Sequence, residues 1–207
     1  MREVNNLFEE SPETQSGQET VGHQDIKDRW QGVKSVLREI VETVLLTLLI
    51  FLAIRALVQN FRIEGTSMEP NLHDGQYLII NKFVYYLHPP ERGDVVVFHY
   101  PRNPRRDFIK RVIGLPGENV EIRGKRLFIN GEKLEESYAL HTSNYAWGPQ
   151  RLGEDEYFVL GDNRNSSSDS HNWGPLPGDA IVGKAWISYW PAKYWGLVPH
   201  YSYAATE

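Results

Sequence analysis

Three short stretches carry the residue types that hydrolytic chemistry uses. The first is EGTSMEPNL, residues 64–72. Ser67 lies there with Gly65 before it and Pro70 after it; glycine allows a close backbone approach, and a serine at a turn can expose its hydroxyl. Such a hydroxyl attacks poorly at neutral pH and needs a base. Taken alone, a loop serine more often caps a turn or faces water. The second stretch is DFIKRVIG, residues 107–114. As a strand it places Phe108, Lys110 and Val112 on one face and Ile109, Arg111 and Ile113 on the other. Apolar neighbours disfavour the Lys110 ammonium and lower its pKa, which frees the amine to act as a base. The competing reading is a lysine whose stem covers apolar surface while its charge stays in water. The third stretch is GDNRNSSSDSHNWGPLP, residues 161–177, whose small polar side chains suit irregular turns held by local hydrogen bonds. It lacks the residue order of an EF-hand, so calcium is a weak reading.

Other chemistries have less support. The seven histidines fall in no triad context and fit no H-E-x-x-H zinc helix. The absence of cysteine excludes a disulfide scaffold, a thiolate zinc site and a cysteine nucleophile. No metal or organic cofactor is expected. The net charge of −5 argues against a nucleic-acid partner, which needs a basic surface. Neither G-x-G-x-x-G nor a P-loop occurs.

These stretches need elements to hold them. The runs YLIINKF (77–83), DVVVF (94–98), DFIKRVIG (107–114), VEI (120–122), RLFIN (126–130), EYFVLG (156–161) and AIVGKAWISYW (180–190) are short and rich in β-branched and aromatic residues, so they predict strands. Asn130-Gly131 predicts a tight hairpin, and Arg123-Gly124-Lys125 a second turn. Residues 134–153 read as a long irregular excursion. Residues 61–207 are therefore expected to form a mainly β domain.

The N-terminal part differs. Among residues 1–30, Arg2, Lys27 and Arg29 face Glu3, Glu9, Glu10, Glu13, Glu19, Asp25 and Asp28, so most of the net charge lies here. Residues 1–35 are expected to be a mostly disordered acidic tail. Residues 36–60 contain an apolar run, with no charge between 43 and 54, close to the length that spans a bilayer as a helix. A buried or partner-bound helix is the alternative. The tail's length and acidity, with no clear small-x-small cleavage site after the run, predict an uncleaved anchor. Lys27, Arg29, Lys34 and Arg38 precede the run while only Arg55 and Arg62 soon follow it, which predicts a cytoplasmic N-terminus and an extracytoplasmic C-terminal domain.

In this order, GTSMEPNL, YLIINKF, RGDVVVFHYP with FIKRVIGLPGE, and GDNRNSSSDSHNWGPLP with IVGKAW resemble the bacterial type I signal peptidases, membrane-bound serine proteases with a Ser–Lys dyad. The resemblance runs from residue 64 to about 186. It implies a coiled antiparallel β-sheet catalytic domain behind a single transmembrane helix in the cell membrane, acting on secretory preproteins with small residues at the first and third positions before the cut. It implies Ser67 as nucleophile, Lys110 as general base and Ser167 as the hydroxyl that orients the lysine. It further implies Asp162, Arg164 and Asp169 as polar support ion-paired with Arg111, and Gly65, Thr66, Met68 and Pro70 as the loop that shapes the nucleophile and oxyanion site. Two positions depart from the commoner pattern. Gly65 stands where some members carry a serine that helps the oxyanion hole, and Asn165 where an aspartate is frequent.

Overall fold

The computed structural model describes residues 18–203, which divide into two units at Leu52/Ala53. Residues 1–17, nearly half of the expected tail, lie outside the described residues.

The first element is α1, Gln18–Leu57. Within its stretch Gly32–Leu57 the most apolar 18-residue window has a mean hydropathy of 2.3, and the stretch is long and apolar enough to cross a membrane. Several polar side chains in this stretch bond within the helix. Arg38 pairs with Glu42 one turn on, and the Thr43 and Thr47 hydroxyls donate to the carbonyls of Glu39 and Thr43. The helix starts inside the expected tail and stops short of residue 60. It stops because residues 58–62 pair with another strand, and Lys82 N–H donates to the Leu57 carbonyl.

The β unit begins with β1, Val58–Arg62, and β2, Tyr77–Asn81, followed by a short helix α2, Val84–Leu87. Next come β3 (Val95–His99), β4 (Asp107–Gly114), β5 (Asn119–Arg123), β6 (Arg126–Ile129), β7 (Glu132–Lys133), β8 (Trp147–Arg151) and β9 (Glu156–Leu160). A one-turn helix α3 (Ser170–Trp173) precedes β10 (Leu176–Pro177), the long β11 (Ile181–Trp190) and β12 (Gly196–Leu197). Among the described residues the large sheet runs β1-β2-β11-β3-β4-β9-β10 with β12 beside β11, and a smaller sheet runs β7-β6-β5-β8. All of these pairings are antiparallel.

The expected strands are present, with ends shifted by a few residues. The sequence VVVF is continuously apolar because β3 is buried on both faces. Val95 and Val97 join one core with Met68, Leu78 and Ile109, whereas Val96 and Phe98 join another with Val112, Val159 and Leu176. Both predicted turns form. Gly124-Lys125 and Asn130-Gly131 have positive φ at both positions, as a two-residue hairpin matched to strand twist requires. Five strands were not anticipated: β1, where the anchor is expected to continue, the two-residue β7, β10 and β12, and β8, which lies inside the segment read as irregular. In β8, Gly148-Pro149 breaks the strand signal, yet both fall at a register shift against β5, where a proline removes no ladder hydrogen bond.

The C-terminal segment crosses this unit. Tyr201 N–H donates to the Gly93 carbonyl, and a Cβ at Gly93, where φ is +95°, would lie 1.7 Å from the Tyr201 carbonyl oxygen. Gly93→Ala should therefore dislodge this segment and lower stability by about 3 kcal/mol. Gly124→Ala meets open space and should cost about 1 kcal/mol. Thermal unfolding of both variants checks the difference.

Candidate active site

The loop that carries Ser67 leaves β1 and returns to β2, and backbone bonds close it. Ile63 N–H donates to Gln76 O, and Gly75 N–H to Ile63 O. Gly65 takes φ +90° and its N–H donates to Asp74 Oδ1 at 2.7 Å, which turns the chain tightly before Ser67. Met68 is wholly buried in the core and accepts backbone bonds from Asn71 and Leu72, so the residue after Ser67 is pinned. Pro70 lies on the exposed side of the loop, after a cis peptide. From the other side, Asn163 N–H donates to the Ser67 carbonyl at 3.0 Å and its side-chain amide to the Thr66 carbonyl at 3.2 Å. The Ser67 N–H has no acceptor among the described residues.

Lys110 comes from the middle of β4, opposite Val96 on β3. It is 4% exposed, and its Nζ lies 2.8 Å from Ser67 Oγ. Its second contact is the Ile109 carbonyl, also at 2.8 Å. Burial pushes its pKa down from 10.5 to about 8, against the opposing pull of Asp169 and Asp162. A serine hydroxyl touching a mostly desolvated amine is a nucleophile beside a base.

Arg111, the next residue, faces the other way and is fully paired. Its guanidinium donates twice to the Asp162 carboxylate, at 2.8 and 2.7 Å, and through Nη1 to the carbonyls of Gly93 and Pro199. Asn71 Nδ2 donates to the same carboxylate at 2.8 Å. The Tyr138 ring covers the guanidinium at 4.4 Å.

The polar support divides differently from expectation. Only Asp162 pairs with Arg111. Arg164 is buried against Glu136, and Asp169 pairs with His171 at 2.6 Å. The remaining Asp169 oxygen accepts from Gly161 N–H at 2.9 Å. Arg111 spends its Nη1 bonds on the Gly93 and Pro199 carbonyls, and Arg164, itself a cation, takes the Glu136 carboxylate. Ser167 Oγ is buried with no hydrogen-bond partner among the described residues and makes no bond to Lys110. It packs where Gly161 must lack a side chain: a Cβ there would lie 2.3 Å from Ser167 Oγ and 2.5 Å from the Ser67 carbonyl. At the departing position, Asn165 accepts from Asn144 N–H and donates to the Thr142 carbonyl. A carboxylate could make only the first of these bonds.

Glu136, His171, Asn71 and Tyr138 were missed as site residues. Two buried arginines demand carboxylates, but nothing local in the sequence marks Glu136 as the one that answers Arg164. Asn71 stands inside the serine motif and could have been weighed.

A groove of about 600 Å³ runs past the Ser67 and Lys110 pair. Its walls include Phe61, Arg62 and Thr66 on one side and Arg106, Phe108 and Ile109 on the other. A second groove of similar volume, beside Tyr85 and Asp179, holds no such pair. Among the described residues no group of three or more acidic or histidine side chains is placed to hold a metal ion.

Comparison with known proteins identifies the family. The family described as signal peptidase, peptidase S26, matches residues 37–190. A signal peptidase I from Leptolyngbya laminosa is 44% identical over 178 residues, covering 82% of this chain and 88% of that protein. Signal peptidase IB from Staphylococcus aureus strain COL is 34% identical over 176 residues, covering 76% and 91%. The crystal structure of a signal peptidase I from Enterococcus faecalis V583 is 35% identical, covers 46% of this chain and 95% of that one, and superposes with a TM-score of 0.39.

The Asp162 contacts set a stability test. Asp162→Ala strands the Arg111 guanidinium in the interior and should cost about 3–5 kcal/mol in denaturant unfolding.

Proposed function

The chain belongs to the signal peptidase family, peptidase S26, and from that premise we propose that it removes signal peptides with Ser67 as nucleophile and Lys110 as general base. The observation that carries this reading is the 2.8 Å contact between Lys110 Nζ and Ser67 Oγ, with the lysine buried.

The preprotein enters extended. β9 pairs with β4 only from Arg111 onward, so residues 107–110 keep one edge free of a strand partner among the described residues. An extended peptide can add to such an edge. Small side chains at the first and third positions before the cut then face a floor that includes Phe61, Phe108 and Ile109. Neutral Lys110 takes the Ser67 hydroxyl proton as Oγ bonds to the scissile carbonyl carbon. The Ser67 N–H stabilises the oxyanion. The Lys110 ammonium returns its proton to the leaving amine, and the C–N bond breaks to leave an ester on Ser67. Water, deprotonated by Lys110, then releases the signal peptide. Ser167 Oγ, buried and unpaired, is available to orient the lysine when it becomes charged.

The stretch Gly32–Leu57 acts as the membrane anchor, with the N-terminus cytoplasmic and the β unit extracytoplasmic. Its hydropathy and the basic residues ahead of it support this. Leu57 runs directly into β1 and so into the Ser67 loop. A preprotein held in the same bilayer by its signal peptide then meets the site at raised effective concentration.

Ser67→Ala and Lys110→Met should each lower preprotein cleavage by at least about 10³-fold, read by gel assay with N-terminal sequencing of the product. Because the base works only when neutral, the rate should fall about tenfold per pH unit below a midpoint near 8. A flat rate from about pH 6 to about pH 9 would contradict the assignment.

A further inference from the structure

The turn between β3 and β4 reads PRNPRRD, and its Arg106 lines the same groove as Ser67 and Lys110. The turn is rigid. Tyr100 N–H donates to the Arg106 carbonyl at 2.8 Å, and Arg106 N–H to the Asn103 carbonyl at 3.0 Å. The Arg106 guanidinium carbon lies 5.3 Å from the Phe108 ring centroid, and Lys110 Nζ lies 5.5 Å from the same centroid. Tyr100 stacks on that ring at 4.5 Å and fixes it. Arg106, Phe108 and Lys110 thus form one row along the groove, with a permanent cation at its outer end. Asp107 forms no ion pair with Arg106; its Oδ1 lies 2.7 Å from His99 Nδ1 instead.

We propose that Arg106 is a specificity-determining residue, which favours an acidic side chain and disfavours a basic one four or five residues before the cleavage site. The inference rests on the reading of Ser67, Lys110 and the open β4 edge given above. Four residues of strand separate Arg106 from Lys110, about 13 Å at ~3.3 Å per residue. A peptide extended along residues 107–110 covers that distance with the same number of residues. Beyond Lys110 the edge is closed by β9, so the paired part of the peptide lies on one side of the cut. A carboxylate at its outer end meets a guanidinium that needs no reorganisation, while a lysine or arginine there meets a like charge.

The test uses the full chain in zwitterionic detergent and two sets of peptides, with Glu, Gln or Lys at the fourth or at the fifth position before the cut. Wild type should show a kcat/KM for Glu over Lys of about tenfold in one of the sets, as expected for an exposed attraction replaced by a repulsion. The ratio should fall to about one in Arg106→Gln and invert in Arg106→Glu. Each ratio compares peptides on one enzyme, so a partly unfolded variant still reports. Equal ratios in all three enzymes would overturn the proposal. A charge preference that emerges only when anionic vesicles are added would overturn it in favour of a lipid headgroup. If Ser67→Ala cuts the peptides as fast as wild type, the catalytic reading itself fails, and that outcome is distinct from equal ratios.

Discussion

A lysine kept out of water is the constraint around which the rest of this site is arranged. Desolvating an ammonium is costly, and the cost falls as the proton leaves. The fold imposes that condition by placing Lys110 mid-strand in β4, which is buried over most of its length, with Ser67 Oγ and one carbonyl as its polar contacts. Two carboxylates nearby, Asp169 and Asp162, work against it by favouring the charged form. Both are already engaged: Asp162 with Arg111 and Asp169 with His171. The Arg111–Asp162 ion pair ties the polar loop to β4, and burial outweighs the pull of the two carboxylates on Lys110. Adjacent cations on one strand meet opposite fates because only Arg111 is given a carboxylate of its own.

The serine is held from three directions. The Gly65 turn, buried Met68 and the Asn163 bonds to the Thr66 and Ser67 carbonyls fix the loop without touching the hydroxyl. Gly161 lets the polar loop approach closely enough to make those bonds, since a single methyl group would collide with both Ser67 and Ser167. The side chains in contact at Ser67 and Lys110 are therefore few, and those that bring two loops and a strand together are more numerous.

Much of this was legible in the sequence, for physical reasons. Period-two patterning placed Lys110 and Arg111 on opposite faces of β4, and Asn130-Gly131 marked a hairpin whose positive φ values the structure contains. The stretches around Ser67, Lys110 and Asp162 stood out by their residue types, and the fold brings them together. What escaped depends on distant partners. Arg164 could have matched any acidic residue, and the choice of Glu136 is made by the path of residues 134–153, where Gly148-Pro149 hid a strand. The end of α1 was misplaced by three residues because Val58 is apolar enough for a helix, yet the ladder with β2 claims it. Ser167 shows the limit of motif matching: its position was found, but its hydrogen bond to Lys110 is not formed here.

The fold itself lowers the Lys110 pKa before any substrate arrives. Direct titration of its side-chain nitrogen by NMR, in full-length protein carrying isotope-labelled lysine and assigned with Lys110→Met, tests this most directly. A midpoint near 8 is expected for this lysine. An ordinary midpoint near 10.5 would contradict it.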